Sequence, residues 1–286
     1  MILITGASGG LGSELVKVAQ DYWAPTRKEL DLDRPRDVFE IVMESKPDFV
    51  FHLAGLTDVD ACEKDREKAL RVNWLSTRAV ARASARLGAT LVFLSTDYVF
   101  SGQGSFYREH HRPDPLNFYG LSKLMAEGEV LSWHKAYVIR TSWVFGPAGR
   151  NFLSRFLDIA QQNKRITAIN DQFSTPTYAP WLAQRLWTLV SKGPVPGLYH
   201  LAGQTDASYF ELARAGVEMA GMDCEVVPVS GQDIKRPARR PVNSSLSSWA
   251  WQQMGGQAIP GWQAALKEFV AWWKKARSSE GRSPEA

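Results

Sequence analysis

Short apolar runs alternate with longer amphipathic stretches along much of the chain. The short runs are rich in β-branched and aromatic side chains, which is typical of buried parallel strands. They cover residues 2–5, 47–55, 89–100 and 136–146. The longer stretches carry apolar side chains at helical spacing and cover residues 11–19, 37–46, 67–88, 120–131 and 151–163. This alternation predicts an α/β fold, a Rossmann-type doubly wound parallel sheet with helices on both faces.

The last third of the chain predicts a smaller lobe beside that sheet. Residues 206–223 and 261–276 have the apolar spacing of amphipathic helices. We therefore predict a dinucleotide-binding Rossmann domain over residues 1–150, with later strands from about 165–204 returning to its sheet. Residues 151–286 are predicted to form mainly a substrate-binding lobe and the C-terminal helices.

Glycines recur at three-residue intervals between the first strand and the first helix, at Gly6, Gly9 and Gly12. In such a strand–turn–helix unit one glycine permits the tight turn, a second lets a pyrophosphate approach the backbone, and a third allows close helix packing. The free amides at the helix start then bind the anion. We predict a dinucleotide site in a loop that also holds Gly10 and Leu11. A glycine-rich turn without a ligand is the alternative.

Three further segments follow predicted strands in the same way. They are residues 53–58 (LAGLTD), 95–100 (STDYVF) and 141–146 (TSWVFG). Ligands of doubly wound sheets lie beyond the carboxyl ends of the strands. We therefore expect these segments and the glycine loop to converge on one site.

Tyr119 precedes Lys123 by four residues at the start of a predicted helix. Residues at this spacing share one face of a helix, so the phenol and the ammonium can approach each other. A free phenol has a pKa of about 10, and a nearby ammonium lowers it towards the neutral range. The pair is a candidate for proton transfer, although the same spacing also arises by chance.

Composition excludes several classes of protein. The chain has 286 residues, 44% hydrophobic and 22% charged, which is ordinary for a globular enzyme. Its net charge of +4 is dispersed, which argues against a nucleic-acid partner, and no apolar stretch approaches the roughly 20 residues of a membrane span. Cys62 and Cys224 cannot build a disulfide framework, and the five histidines lack metal-ligand spacing, so we predict no metal site. We expect a cytoplasmic protein.

With these motifs in view, the chain resembles the extended short-chain dehydrogenase/reductase superfamily. Tyr119 and Lys123 match its Y-x-x-x-K pair, and Thr96 matches its Ser/Thr position. Within the superfamily the chain is most similar to the dTDP-4-dehydrorhamnose reductase family. That resemblance covers residues 1 to about 250 and rests on the segments STDYVFSG, PLNFYGLSK, RTSWVFG, NDQFSTPT, GLYHLAG and RPVNSSLS, in that order.

The resemblance implies roles for individual residues. Tyr119 is expected to protonate the carbonyl oxygen of the substrate, Lys123 to lower the phenol pKa and bind the nicotinamide ribose, and Thr96 to bind the same oxygen. Asp97 and Trp143 are expected to contact the sugar. Thr96, Asp97 and Trp143 each have a structural alternative. A threonine at a strand end can cap a turn, an acidic turn residue needs no ligand, and a tryptophan at a strand end is often a core residue.

The cofactor prediction depends on the residues after the second strand. Arg27 stands where an arginine would accept a 2′-phosphate, and no acid precedes Glu29, so we predict NADPH with NADH as the alternative. A solvated basic turn would explain Arg27 equally well. The resemblance implies that two further segments contact the cofactor. These are Asp31 and Leu32 beside the adenine, and Ala54, Gly55 and Leu56 beneath the dinucleotide.

The resemblance therefore implies an NADPH-dependent reduction of the 4-keto group of dTDP-4-dehydro-L-rhamnose, and we expect Arg236 near the substrate diphosphate. Asn73 is expected to organise the helix beside the site, or to serve only as a buried residue with structural hydrogen bonds. A nucleotide-sugar epimerase is one alternative, and a non-catalytic dinucleotide-binding subunit resembling that of methionine adenosyltransferase is another. The predicted partner is a small nucleotide sugar, and a homodimer is compatible with the sequence.

Overall fold

The computed structural model of the protein describes residues 1–149, 151–192 and 194–280. Its centre is a six-stranded sheet of β1 (Ile2–Thr5), β2 (Tyr22–Trp23), β3 (Phe49–His52), β4 (Thr90–Thr96), β5 (Ala136–Thr141) and β10 (Gly197–His200). The sheet is fully parallel, in the order β2-β1-β3-β4-β5-β10. The predicted doubly wound α/β sheet is confirmed.

Helices surround this sheet and build the second lobe. They are α1 (Gly10–Leu15), α2 (Pro35–Ser45), α3 (Val59–Lys64), α4 (Arg66–Ala69), α5 (Ser76–Leu87), α6 (Phe118–Leu131), α7 (Phe152–Ala160), α8 (Ala179–Lys192), α9 (Tyr209–Ala220), α10 (Trp249–Gln253) and α11 (Trp262–Glu280). A π-helical turn, Leu70–Leu75, joins α4 to α5. No helix in the described ranges is long and apolar enough to span a membrane.

The two faces of the sheet bury separate cores because successive strand residues point to opposite sides. Leu3 and Val50 face the core beneath α2, α5 and α6, whereas Ile4 and Phe51 face the core beneath α1 and α8. A third core lies in the C-terminal lobe among α7, α9 and α11, around Phe269, which is fully buried. The layers predicted from the alternating pattern are therefore present.

Short strands outside the central sheet connect the lobe. They are β6 (Val144–Phe145), β7 (Arg165–Ile169), β8 (Phe173–Ser174), β9 (Thr177–Tyr178), β11 (Ala207–Ser208) and β12 (Glu225–Val229). These strands pair β6 with β9, β7 with β12 and β8 with β11.

One part of the strand prediction is wrong. Of the strands expected from about 165–204 to return to the central sheet, β10 does so, but β7 pairs with β12 instead. The reason lies in its pattern, because Arg165 and Thr167 are exposed and a strand with an exposed face does not suit a sheet covered by helices on both sides. The boundary at residue 150 stays a prediction, and residues 281–286 of the predicted lobe lie outside the described residues.

Candidate active site

A cavity of about 710 Å³ opens at the carboxyl ends of β1, β3, β4 and β5. All four segments predicted to converge contribute to its wall, which confirms that expectation. The predicted site residues that line it are Gly6, Gly9, Gly10, Leu11, Gly12, Arg27, Asp31, Leu32, Ala54, Gly55, Leu56, Thr96, Asp97, Tyr119 and Trp143. Lys123 lies behind the wall, and Arg236 lies outside the lining.

Backbone packing explains the glycine loop. Gly6 has a φ of 75°, and a Cβ atom there would lie 2.8 Å from the Ala54 amide nitrogen. A Cβ atom at Gly12 would collide with the Gly6 carbonyl, and one at Gly10 would lie 3.0 Å from the Ala148 carbonyl oxygen. The first residues of α1, Gly10, Leu11 and Gly12, lie on the cavity wall. The first amides of a helix have no partner within the helix, so this loop suits an anion such as a pyrophosphate.

Two cations, Arg27 and Lys68, line the cavity. Arg27 follows β2, is exposed and is only loosely paired, with its Nε 3.8 Å from an Asp31 carboxylate oxygen. Lys68 lies on α4 and was missed in the sequence. Asp33 also lines the cavity, and its charge is balanced by Arg71 at 2.8 Å. Cations on the wall suit an extra phosphate on the adenosine ribose.

Asn73 ties the loop after β3 to the helix that carries Tyr119. It lies fully buried in the π-helical turn, a type of helix distortion that is frequent at functional sites. Its amide donates to the Leu56 carbonyl and to Ser122 Oγ, both at 3.0 Å, and its oxygen accepts from the Leu56 amide at 2.8 Å. A Cβ atom at Gly55 would lie 3.9 Å from Lys123 Nζ, so the ammonium lies directly beneath this loop.

The start of α6 places Tyr119 beside the end of β4. Asn117 caps the helix by accepting from the Gly120 amide at 2.9 Å. A Cβ atom at Gly120 would collide with the Tyr98 carbonyl, so the helix packs directly on the turn Asp97–Val99. One turn later Lys123 is buried, with its Nζ 4.0 Å from the centre of the Phe93 ring.

Burial sets the protonation of this pair. Desolvation raises the pKa of Tyr119 above its usual value, and a hydrogen bond with Thr96 lowers it only in part. Desolvation also lowers the pKa of Lys123 to about 7, against the opposing charge of Glu127. Burial is the largest influence on the pKa of Tyr119 in this structure, and a lowering of that pKa by Lys123 stays a prediction. A phenol that stays protonated at neutral pH nevertheless suits a proton donor.

Three hydroxyl groups surround Asp97, which is fully buried. Thr96 donates to one carboxylate oxygen at 3.1 Å, whereas Ser174, at 2.9 Å, and Ser244 donate to the other. Burial raises the pKa of Asp97 to about 6, although these hydroxyl groups oppose the shift. Ser174 and Ser244 belong to the segments NDQFSTPT and RPVNSSLS. Those two motifs therefore meet at a residue next to Thr96.

Trp143 forms one wall of the cavity in a strained conformation. Its φ is 39°, a region that bulky side chains rarely adopt and that costs roughly 1–3 kcal/mol. The indole stacks on Tyr209 with ring centres 3.8 Å apart, and Phe152 contacts the other edge of Tyr209. Its Nε1 is buried without a hydrogen-bond partner among the described residues. The strained backbone at a residue that lines the cavity favours a binding role over a purely structural one.

In the basic segment 235–240, Arg240 is paired with a carboxylate, whereas Arg236 is exposed. Arg240 forms a bidentate pair with Asp60 on α3, at 2.8 and 2.9 Å, and so lowers the pKa of that carboxyl. Arg236 is exposed, although its charge acts on Asp60 and Tyr209. Within the described ranges no group of three or more His, Cys, Asp or Glu side chains could hold a metal ion.

The chain is similar to known proteins in sequence and in fold over most of its length. Residues 1–274 match the family described as the RmlD substrate binding domain. The spore coat polysaccharide biosynthesis protein SpsK of Bacillus subtilis is 34% identical, over 94% of this chain and 96% of its own length. A dTDP-4-dehydrorhamnose reductase of Escherichia coli is 36% identical over the same shares of the two chains. The crystal structure of dTDP-4-dehydrorhamnose reductase from Bacillus anthracis in complex with NADP superposes with a TM-score of 0.90, at 34% identity, over 94% of this chain and 98% of that chain.

Proposed function

The chain belongs to the RmlD substrate binding domain family, and from that premise we propose that it is an NADPH-dependent dTDP-4-dehydrorhamnose reductase. The reaction would convert dTDP-4-dehydro-L-rhamnose to dTDP-L-rhamnose. The observation that carries this proposal is the hydrogen bond between Thr96 and Tyr119 on the wall of a cavity that the glycine loop and Arg27 also line, with Lys123 just behind that wall at Gly55.

The residues of the cavity fit a phosphorylated dinucleotide. The close-packed glycine loop would hold the pyrophosphate, and Arg27 and Lys68 would bind the 2′-phosphate. Gly55 and its neighbours would lie beneath the ribose on the nicotinamide side, where Lys123 Nζ supplies a donor. When bound, the reduced nicotinamide supplies the hydride.

Tyr119 and Thr96 would act on the oxygen of the keto group. That oxygen gains negative charge as the carbon is reduced, and the Tyr119 hydroxyl, together with the Thr96 hydroxyl once it turns from Asp97 to the substrate, would stabilise the charge. Tyr119 keeps its proton at neutral pH because burial raises its pKa, and the proton ends on the new hydroxyl group. The Lys123 ammonium would stabilise the phenolate that is left behind.

The substrate would lie between the turn Asp97–Val99 and the aromatic wall. Trp143 lines the cavity and would offer an apolar face to the sugar ring. Asp97, held by Ser174 and Ser244, would accept from a sugar hydroxyl. The exposed Arg236 would bind the diphosphate. A cytoplasmic location and a homodimer stay predictions.

The test mixes the purified protein with dTDP-4-dehydro-L-rhamnose and NADPH, and follows both NADPH absorbance and the sugar product by NMR. We expect one NADPH oxidised for each dTDP-L-rhamnose formed. Isomerised sugar without net oxidation would indicate an epimerase instead. Tight NADPH binding with no conversion of this or related nucleotide-linked keto sugars would favour the non-catalytic subunit.

A further inference from the structure

His52 is the last residue of β3, just before the loop 53–57 that lines the cavity, and its side chain is fully buried. Its Nδ1 lies 2.8 Å from Thr5 Oγ1, and its Nε2 lies 3.0 Å from Thr77 Oγ1. Burial, together with the charge of Lys123, lowers the pKa of His52 to about 3, so the imidazole is neutral at physiological pH. A neutral imidazole carries one N–H, so it donates one of these two hydrogen bonds and accepts the other.

The two hydroxyl groups determine which ring nitrogen carries the hydrogen. Thr77 Oγ1 donates its single proton to the Asn73 carbonyl at 2.6 Å, so it can only accept from the ring. The imidazole hydrogen therefore lies on Nε2, and Nδ1 accepts from Thr5 Oγ1. The same Thr5 oxygen accepts from the Ala54 amide at 3.2 Å. These hydrogen bonds form a chain with one consistent direction, from the amide of a residue on the cavity wall to the π-helical turn.

The side chain of Asn73 extends this chain to the tyrosine. It donates to Ser122 Oγ at 3.0 Å, and Ser122 Oγ donates to the Tyr119 carbonyl at 2.8 Å. The linking side chains are at most 1% exposed. A buried polar network in which every member is paired holds its residues rigidly. His52 therefore lies at the centre of a network that joins β1, the loop after β3 and the start of α6.

We propose that His52 is a positioning residue, which holds the loop 54–56 and the start of α6 in place for the reaction. This inference rests on the proposed function, because that loop would lie beneath the cofactor and Tyr119 would donate the proton. His52 is not part of the cavity lining, so it acts through the residues it holds. A displacement of about 1 Å in a reacting group can lower a rate by about 10²-fold.

Thr77→Val tests the proposal because it keeps the shape of the side chain and removes both of its hydrogen bonds in the network. With saturating NADPH and dTDP-4-dehydro-L-rhamnose, kcat should fall about tenfold to 10²-fold, and the Kd for NADPH should rise severalfold. Thr77→Ser keeps the hydroxyl and should retain most of the rate and of the affinity. Thr5→Val and Thr5→Ser repeat the comparison on the other side of the ring. All assays are run well below the melting temperature of each variant, so that unfolding does not contribute.

His200→Leu is the matched control for His52→Leu. His200 is also a fully buried histidine at the end of a strand, and its Nδ1 lies 3.0 Å from the Tyr107 carbonyl oxygen, but neither residue lines the cavity. Both substitutions should lower the melting temperature, whereas only His52→Leu should lower kcat. Nitrogen-15 NMR of the cofactor-free wild type gives a separate readout, because the two neutral tautomers of imidazole have different nitrogen shifts. We expect the hydrogen of His52 on Nε2.

Three results would overturn the proposal. A lowered melting temperature of Thr77→Val with unchanged kcat and Kd would make the network purely structural. Equal losses in Thr77→Ser and Thr77→Val would exclude the hydrogen bonds as the cause. A hydrogen on Nδ1 of His52 would contradict the direction of the chain. A wild type that binds NADPH but reduces no keto sugar would refute the proposed function instead, and the Kd for NADPH of the same variants would then decide whether His52 holds the loop.

Discussion

Asp97→Asn should change how the stability of the protein depends on pH. Burial raises the pKa of the Asp97 carboxyl from 3.8 to about 6, so the folded state holds this proton more tightly than the unfolded state does. Stability from this group is fully present below the usual pKa and is lost as the pH rises through the folded pKa. A shift of about 2 units corresponds to about 3 kcal/mol. Asparagine does not titrate. The free energy of unfolding of Asp97→Asn, relative to that of the wild type, should therefore rise by up to that amount between about pH 4 and pH 7.

The measurement is urea unfolding of both proteins at closely spaced pH values. Other groups titrate in both proteins, including His52 and His200, whose pKa values burial lowers to about 3. The difference between the two proteins therefore isolates Asp97. Parallel stability curves across this range would refute the argument that burial dominates over the three hydroxyl donors.

Asp171→Asn is the matched control. Burial raises the pKa of Asp171, but the Ser230 hydroxyl and the Gly231 amide outweigh burial and lower it overall. A lowered carboxyl pKa contributes stability that is lost as the pH falls. As the pH rises, the free energy of unfolding of the wild type should therefore increase relative to that of Asp171→Asn. This is the opposite direction from the comparison with Asp97→Asn. The same direction for both variants would show that the substitutions act through something other than titration.

Two further predictions concern the ligands. Arg27→Asp and Lys68→Ala should each raise the Kd for NADPH by about tenfold or more and change that for NADH much less, because a charge-assisted hydrogen bond is worth roughly 1.5–3 kcal/mol. Fluorescence titration measures both constants. Replacement of Lys64, which is exposed and lies outside the cavity lining, is the control. Equal weakening of the binding of both cofactors would contradict the 2′-phosphate assignment. Trp143→Ala should weaken nucleotide-sugar binding while NADPH binding and the melting temperature change little. A large drop in melting temperature with both ligands weakened would make Trp143 a core residue.

Local patterns in the sequence predicted the parts of the site that local geometry determines. The spacing of Gly6, Gly9 and Gly12 follows from one strand–turn–helix unit, and the four-residue spacing of Tyr119 and Lys123 follows from one helix. Each of these constraints acts within about a dozen residues of chain, so the pattern alone is enough.

Features that depend on long-range packing could not be predicted in this way. Ser174 and Ser244 reach Asp97 from 77 and 147 residues further along the chain. Lys68 lies on a helix far in sequence from Arg27, and nothing in its neighbourhood marks it as a wall of the cavity. The pairing of β7 with β12 and the raised pKa of Tyr119 likewise depend on what packs around them. The residue pattern of a strand does not indicate which strand it pairs with, and the identity of an ionisable residue does not indicate how deeply it is buried.

The central claim is that Tyr119 gives the proton that completes reduction of the keto sugar. Tyr119→Phe removes one hydroxyl and keeps the ring, so the fold and the capped start of α6 should survive. Its Kd for NADPH should stay near that of the wild type, whereas Lys123→Met should lose cofactor affinity as well as turnover.

The decisive measurement is the rate of NADPH oxidation by wild type and Tyr119→Phe with saturating dTDP-4-dehydro-L-rhamnose, beside the Kd of each for NADPH. We predict a loss of about 10²–10⁴-fold in rate, the usual scale of general acid catalysis, with cofactor binding preserved. A Tyr119→Phe protein that turns over at the wild-type rate would contradict the account.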